Sequence, residues 1–281
     1  MKKIIAAAVA TAFVAPAFAG EITLSGDVEF LYTNSGGVMA GSTGDADFNI
    51  SSTSELPNGM TVTGILDIED ADMAAGTPDA KLAISGDFGT VEFGAGAGEA
   101  SGAFENAADV AAYGAGVEVS DGFATETSID YRGSLMEGLS VAASYGINGA
   151  ADQTSTAYGV KYAMGGYSVA YSTISADSND KDPSSLSATA TFGSLYVGVE
   201  RIADNGGTAD NDVTAVGAKY TMGDTAFYYE SNNYSADATG TDVIAYGVTQ
   251  KIGGGLSVGA GITDDDGSDD NVTTVGIAYT F

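Results

Sequence analysis

From residue 21 to the last residue, apolar side chains alternate with small or polar ones over stretches of about ten residues. A β-strand places successive side chains on opposite faces of its sheet, so this alternation predicts strands with one apolar and one polar face. The clearest examples are "STAYGVKYAMGG" (155–166), "VTAVGAKYTMGD" (213–224), "VIAYGVTQKIGG" (243–254) and "VTTVGIAYTF" (272–281). Their similarity indicates an internal repeat of hairpins.

The connections between the predicted strands are of two kinds, which alternate along the chain. Seven are short and rich in Gly, as tight antiparallel hairpins require: "SELPNGM", "SGDFGT", "SLMEGL", "AMGGY", "TFGSL", "TMGDT" and "KIGGGL". Eight are longer and polar, such as "ADNGGTADND" and "DDDGSDDN". These connections join about sixteen strands and place both ends of the chain on the short-turn side.

This arrangement predicts an all-β protein, a transmembrane antiparallel β-barrel of sixteen strands. A soluble sandwich would instead pack its large apolar residues into a core. Aromatic residues gather near the strand ends, as at the two interfaces of a membrane. Those near the loops are Phe30, Tyr32, Tyr145 and Tyr171, and those near the turns are Tyr162, Phe192, Tyr220, Tyr279 and Phe281. Because lipid cannot hydrogen-bond to a strand edge, we expect the last strand to pair with the first through to Phe281.

The first residues have the features of a secretory signal. Lys2 and Lys3 precede an apolar stretch from Ile4 to Val14 that is too short to span a bilayer, and Ala17-Phe18-Ala19 fits a small-x-small cleavage site. We therefore interpret residues 1–19 as a signal peptide and residues 20–281 as the barrel.

Composition excludes several kinds of chemistry. The chain has 9 basic and 38 acidic residues, so nucleic acid is a poor partner. It contains no histidine and no cysteine, which excludes His-based triads, cysteine nucleophiles, Cys/His zinc sites and disulfides. Two alternatives stay open from the residues alone: an acidic exported surface protein or adhesin, and an enzyme built on a barrel.

One segment interrupts the hairpin rhythm. After "TVEFGAGAGE", more than twenty residues ("ASGAFENAADVAAYGAGVEVSDGF") precede the next clear strand. Together with the start "GEITLSGDVEF", the pair "LAISGDFGTVEFG" and the terminal "YTF", this order resembles the general diffusion porins of Gram-negative bacteria, particularly the alphaproteobacterial type.

The resemblance implies a homotrimeric channel in the outer membrane for passive diffusion of small hydrophilic solutes and ions, with no cofactor. It also implies that the third long loop, residues 99–122, folds inward and narrows the pore. Its acidic candidates are Glu99, Glu105 and Asp109. By the same resemblance, Phe281 is a signal for the barrel-assembly machinery, and outer-membrane lipid surrounds the barrel.

Strand parity selects the charged residues expected in the lumen. If Thr127, Ile129 and Tyr131 face lipid, the lumen receives Glu126, Asp130 and Arg132. The same alternation directs inward Asp27, Glu29, Asp67, Glu69, Lys81, Glu92, Lys161, Lys219 and Lys251. A Lys or Arg facing lipid at mid-depth would cost about 2–4 kcal/mol, which favours this register.

The balance of these charges predicts a cation preference. Family resemblance places a basic cluster opposite the acids of the third loop, but here only Lys81 and Arg132 are well placed for that role. Carboxylates lining a pore favour cations. The acidic segment "TDDDGSDDN" (263–271) lacks the ligand spacing of an EF-hand loop, so we expect at most loosely bound Ca²⁺ and no structural metal site.

Overall fold

The computed structural model describes residues 20, 22–42, 46–68, 79–95, 104, 106–112, 127–148, 153–177, 181–205, 210–235, 241–268 and 271–281. Its strands are β1 (Ile22–Ser35), β2 (Val38–Ser42), β3 (Ala46–Glu55), β4 (Thr61–Ile68), β5 (Asp79–Gly86), β6 (Gly89–Ala95), β7 (Thr127–Met136), β8 (Leu139–Asn148), β9 (Gln153–Met164), β10 (Tyr167–Ala176), β11 (Ser184–Phe192), β12 (Leu195–Ala203), β13 (Val213–Met222), β14 (Thr225–Tyr234), β15 (Val243–Gly253), β16 (Leu256–Asp265) and β17 (Val272–Thr280).

From β3 to β17, each strand pairs antiparallel with its neighbours in chain order, and β17 returns to pair with β1. On its other edge, β1 pairs with β2 from Leu31 to Ser35 and with β3 from Ile22 to Val28. β2 and β3 therefore share one position in the sheet, and the structure is a closed antiparallel barrel of sixteen strands. The predicted fold class is confirmed.

The two faces of the barrel differ as the alternation predicts. Large apolar and aromatic side chains are exposed on the outer face, including all nine aromatic residues expected near the strand ends. The inner face carries small and polar side chains, many of them buried, such as Ser128, Ala142, Ser144, Ser155, Ala157, Ala170, Ser172, Ser185 and Ser187. Near the long loops, Ala157, Ile174, Ile202 and Val213 form a small apolar cluster on this face.

All seven predicted short turns are present. They join β3 to β4, β5 to β6, β7 to β8, β9 to β10, β11 to β12, β13 to β14 and β15 to β16. One connection at the opposite end differs from the prediction of eight long loops. Only Gly36 and Gly37 separate β1 from β2, with φ angles of 57° and 80°. Two adjacent residues with positive φ form the tight hairpin turn that glycine permits, so the first connection needs no long loop.

Within the described ranges, no helix is long and apolar enough to cross a membrane. The predicted signal peptide, residues 1–19, lies outside the described residues.

Candidate pore constriction

The inner face of β12–β14 has two carboxylates in the middle of the barrel wall. Glu200 on β12 and Glu230 on β14 both face inward, and both are almost completely buried, with exposures of 3% and 1%. Between them, Gly198 and Gly217 lie opposite each other on β12 and β13. At this place the wall therefore combines two carboxylates that can accept hydrogen bonds with a glycine pair whose backbone is uncovered by side chains.

A segment that follows β6, residues 106–112, lies against this surface. The backbone N–H of Ala107 donates to Glu200 Oε2 at 2.8 Å. The N–H groups of Val110 and Ala111 both donate to Glu230 Oε2, at 3.1 and 3.2 Å. Hydrogen bonds to an ionised acceptor are about twice as strong as neutral ones, so these three contacts anchor the segment to the wall.

Neighbouring groups hold the two carboxylates in place. The Ser185 hydroxyl donates to Glu200 Oε1, and Asn232 Nδ2 donates to Glu230 Oε1 at 3.0 Å. In each carboxylate, Oε1 thus accepts a hydrogen bond from a neighbouring wall residue and Oε2 accepts from the backbone of the segment. Because both oxygens accept hydrogen bonds, the cost of burying these charged groups is partly offset.

Two further contacts fix the carbonyl side of the segment. The Tyr196 hydroxyl donates to the Ala107 carbonyl oxygen at 2.7 Å, and the Ser187 hydroxyl donates to the Phe104 carbonyl oxygen at 3.2 Å. A Cβ atom on Gly198 would overlap the Ala107 carbonyl oxygen, and one on Gly217 would overlap that of Ala108. Glycine at both positions lets backbone contact backbone.

The segment divides its side chains between wall and lumen. Ala107, Ala108 and Val110 are buried, whereas Asp109 is exposed. Small apolar residues thus cover the wall, and the Asp109 carboxylate is left accessible to the aqueous interior. Of the three acidic candidates on the long loop, Asp109 is the one that the structure describes; Glu99 and Glu105 lie outside the described residues.

The other predicted lumen charges lie on inward positions of their strands where the structure describes them. Lys81 on β5 pairs with Asp67 on β4, with 3.6 Å between Nζ and Oδ2. Glu92 on β6 lies opposite Asp130 on β7. Asp130 is 1% exposed and accepts from the Ser128 hydroxyl at 2.9 Å, whereas Arg132 is exposed.

Lys161, Lys219 and Lys251 also occupy the inward parity of β9, β13 and β15. Lys161 is partly buried, and the other two are exposed. Glu126 and Glu69 lie outside the described residues.

Glu200 and Glu230, whose carboxylates accept three hydrogen bonds from the segment, were not among the residues predicted from the sequence. A usable signal was present, since each is an acidic residue at an inward parity position, six residues beyond a short turn. Their partners could not be read from the chain, because the segment is 93 positions from Glu200 and 120 from Glu230.

At the seam of the barrel, the chain end is paired as expected. The N–H of Phe281 donates to the Gly26 carbonyl at 3.0 Å, and the N–H of Gly26 donates to the Phe281 carbonyl at 3.1 Å. The Phe281 ring lies 5.7 Å from that of Phe48 and 5.9 Å from that of Tyr279, measured between centroids. The ring therefore joins the outer surface on both sides of the seam.

In the acidic segment 263–271, the Asp265 carboxylate accepts from the Thr241 hydroxyl and, at 2.8 Å, from the Gly267 N–H. These bonds order a turn. Across the described ranges, no group of three or more acidic residues is arranged to hold a metal ion.

Comparison with known families fits this architecture. The family model described as "Gram-negative porin" matches residues 5–281. The chain belongs to the Gram-negative porin family. It is therefore an outer-membrane protein with a porin channel, and family and fold point to a channel rather than an enzyme.

Solved structures of the Rhodopseudomonas blastica porin share the fold of this porin. Two double variants of that protein are 19% identical to it, cover 93% of its chain and 100% of their own, and superpose with TM-scores of 0.70 and 0.72. A triple variant is 18% identical, with the same coverage and a TM-score of 0.70. At such identities the likeness concerns the fold. A comparison with curated protein sequences found no match.

Proposed function

We propose that this porin conducts small hydrophilic solutes and ions by passive diffusion, and that it prefers cations. The observation that carries this proposal is the anchored segment 106–112, which lies on the inner wall with the Asp109 carboxylate exposed. A carboxylate at a narrowed part of an aqueous pore attracts cations and repels anions.

The surrounding charges act in the same direction. Glu200 and Glu230 add two carboxylates directly behind the segment. Lys81, one of the two bases expected to balance the loop acids, is paired with Asp67. The field around the segment is therefore dominated by acidic groups, and cation preference follows from their sum.

Reversal potentials across planar bilayers under a KCl gradient test this function. Asp109→Asn should lower the ratio of cation to anion permeability, and a double variant that also carries Glu105→Gln should lower it further. Glu137→Gln is the matched control, since Glu137 is an exposed acid in the turn between β7 and β8. Anion selectivity of the wild-type porin would refute the cation preference and leave passive diffusion standing.

The family resemblance supports the first two of three further parts of this proposal, and the acidity of the long loops supports the third. The porin forms a homotrimer, the barrel-assembly machinery recognises Phe281, and divalent cations such as Ca²⁺ associate loosely with the acidic loops. Electrophoresis of unheated and heated samples tests the trimer, because a porin that migrates as a monomer in both would contradict it. Isothermal titration with CaCl₂ tests the loop sites, for which we expect weak binding.

A further inference from the structure

The basic residues of the lumen are concentrated at one end of the barrel. Arg132, Lys161, Lys219 and Lys251 each lie within five residues of a short turn, on β7, β9, β13 and β15. Strands rise about 3.4 Å per residue and tilt by about 45°, so these side chains start about 7–12 Å from the turns. We call these four residues the basic belt.

Acidic residues partly balance the basic belt at the turn end. Five acids lie in the short turns or within five residues of them: Glu55, Asp87, Glu92, Glu137 and Asp224. Among these, Asp87, Glu137 and Asp224 are in the turns themselves, outside the strands that line the lumen. Within five residues of the short turns, the strands therefore carry four bases against Glu55 and Glu92, about +2, and the three turn acids bring the described total to about −1.

The long-loop end is much more acidic. Thirteen described acids lie in the loops or within two residues of a strand's loop end: Asp47, Asp67, Asp79, Asp109, Asp177, Asp182, Asp204, Asp210, Asp212, Asp242, Asp264, Asp265 and Asp266. The bases in the same zone are Lys81, Lys181 and Arg201. Thirteen acids against three bases give about −10, and Arg201 is already paired with Asp212 at 2.6 Å.

We infer that the lumen is charged asymmetrically along its axis, and that the basic belt makes the open channel rectify ionic current. This inference rests on the channel of the proposed function. Cations concentrate in the acidic loop end and anions in the basic belt. When the loop side is positive, both ions are driven toward the middle of the pore and carry more current; the opposite voltage depletes both.

Salt concentration decides how strongly each end acts. The Debye length is ~10 Å at 0.1 M, ~3 Å at 1 M and ~30 Å at 0.01 M. Charges on the wall therefore control the pore at low salt and are screened at high salt. Under a salt gradient, the charges at the end that faces the dilute chamber are screened least and should determine the ion selectivity. Cation selectivity should therefore be greater when the loop end faces the dilute side.

The test uses oriented single channels in planar bilayers. Because the chain has no cysteine, a single Ser194→Cys change in the turn between β11 and β12 can be labelled by an impermeant maleimide from one chamber. The label identifies the chamber that contains the turn end. At ~0.1 M KCl we expect currents at equal and opposite voltages to differ by on the order of 1.5-fold, with the larger current when the loop side is positive.

Two triple variants identify the cause. Replacing Lys161, Lys219 and Lys251 with Gln should strongly reduce the difference between currents at equal and opposite voltages, whereas replacing the same three with Arg should preserve it. Heat-dependent electrophoretic migration verifies that both fold. Symmetric currents from the wild-type porin at ~0.1 M KCl, or equal rectification in the Gln and Arg variants, would overturn the inference. A channel that prefers anions overall but rectifies as described would refute the cation preference alone.

Discussion

Glu230 accepts a hydrogen bond at 3.1 Å from the backbone N–H of Val110, a residue 120 positions earlier in the chain. The contact joins the wall of the barrel to a segment that enters its lumen. Glu200 makes the corresponding contact with Ala107 two strands away. Backbone N–H groups are common to all residues except proline, so this anchoring depends on the wall carboxylates more than on the side chains of the segment.

Replacing Glu230 should loosen the segment in a graded way. Glu230→Gln keeps an acceptor oxygen but loses the charge, whereas Glu230→Ala leaves the N–H groups of Val110 and Ala111 without this partner. Hydrogen bonds to charged groups contribute about 1.5–3 kcal/mol each, so the population of released segments should rise by about tenfold or more in the Ala variant. Single-channel recordings should show more frequent wide substates, in the order wild type, Gln, Ala.

Glu92→Gln is the control for this series, because it removes one lumen-facing charge from β6. It should change ion selectivity slightly without adding substates. If Glu230→Ala produced the same steady conductance as the wild type, the contact with Glu230 would not be what holds the segment.

The fold was predictable because its signals are local. Alternation along each strand and glycine in each turn are set by backbone geometry over a few residues, and the nine outer aromatic residues follow from the same parity. The tight turn at Gly36 and Gly37 was missed because all eight connections at that end of the barrel were expected to be long. The chain gave no comparable local signal for β2 and β3 sharing one position beside β1.

The candidate constriction was predictable only in part, for a physical reason. Asp109 could be selected as an acid on an unusually long connection, but the path of that connection depends on contacts with strands β11–β14, which follow it in the chain. The glycine pair that admits the segment resembles any other glycine in the repeat "AVGAKY" until its cross-strand partner is known. Long-range contacts, unlike alternation, leave no periodic pattern.

Adding a side chain at Gly217, where the wall contacts the backbone of segment 106–112, should displace the segment without changing any charge. In Gly217→Ala, the new methyl group would overlap the Ala108 carbonyl oxygen, so the segment must shift away from the wall. We expect an altered and noisier single-channel conductance. Gly64→Ala on β4 is the matched control, since a Cβ there meets no atom within 4 Å. Identical recordings from both variants would show that close backbone approach at Gly217 is not required.

Removing Phe281 should weaken closure of the barrel. The deletion removes two hydrogen bonds to Gly26 and the ring contacts with Phe48 and Tyr279. Phe281→Leu restores the hydrogen bonds and part of the apolar surface. Refolding into detergent, followed by electrophoretic mobility without heating, should give the folded fractions in the order wild type, Leu, deletion. If the wild type, Phe281→Leu and the deletion variant unfolded at the same temperature, Phe281 would not stabilise the finished barrel, and its role would be limited to assembly.

Neutralising Lys81 should increase cation preference. Lys81 lies 3.6 Å from Asp67, so Lys81→Gln leaves one more uncompensated carboxylate on the lumen wall. Reversal potentials should shift toward the cation limit in dilute KCl, and the shift should shrink toward 1 M, where the Debye length is only ~3 Å. Lys181→Gln is the control, because Lys181 is an exposed base in the connection between β10 and β11. A shift of equal size in both variants would mean that net charge, rather than the position of Lys81 in the lumen, sets the selectivity.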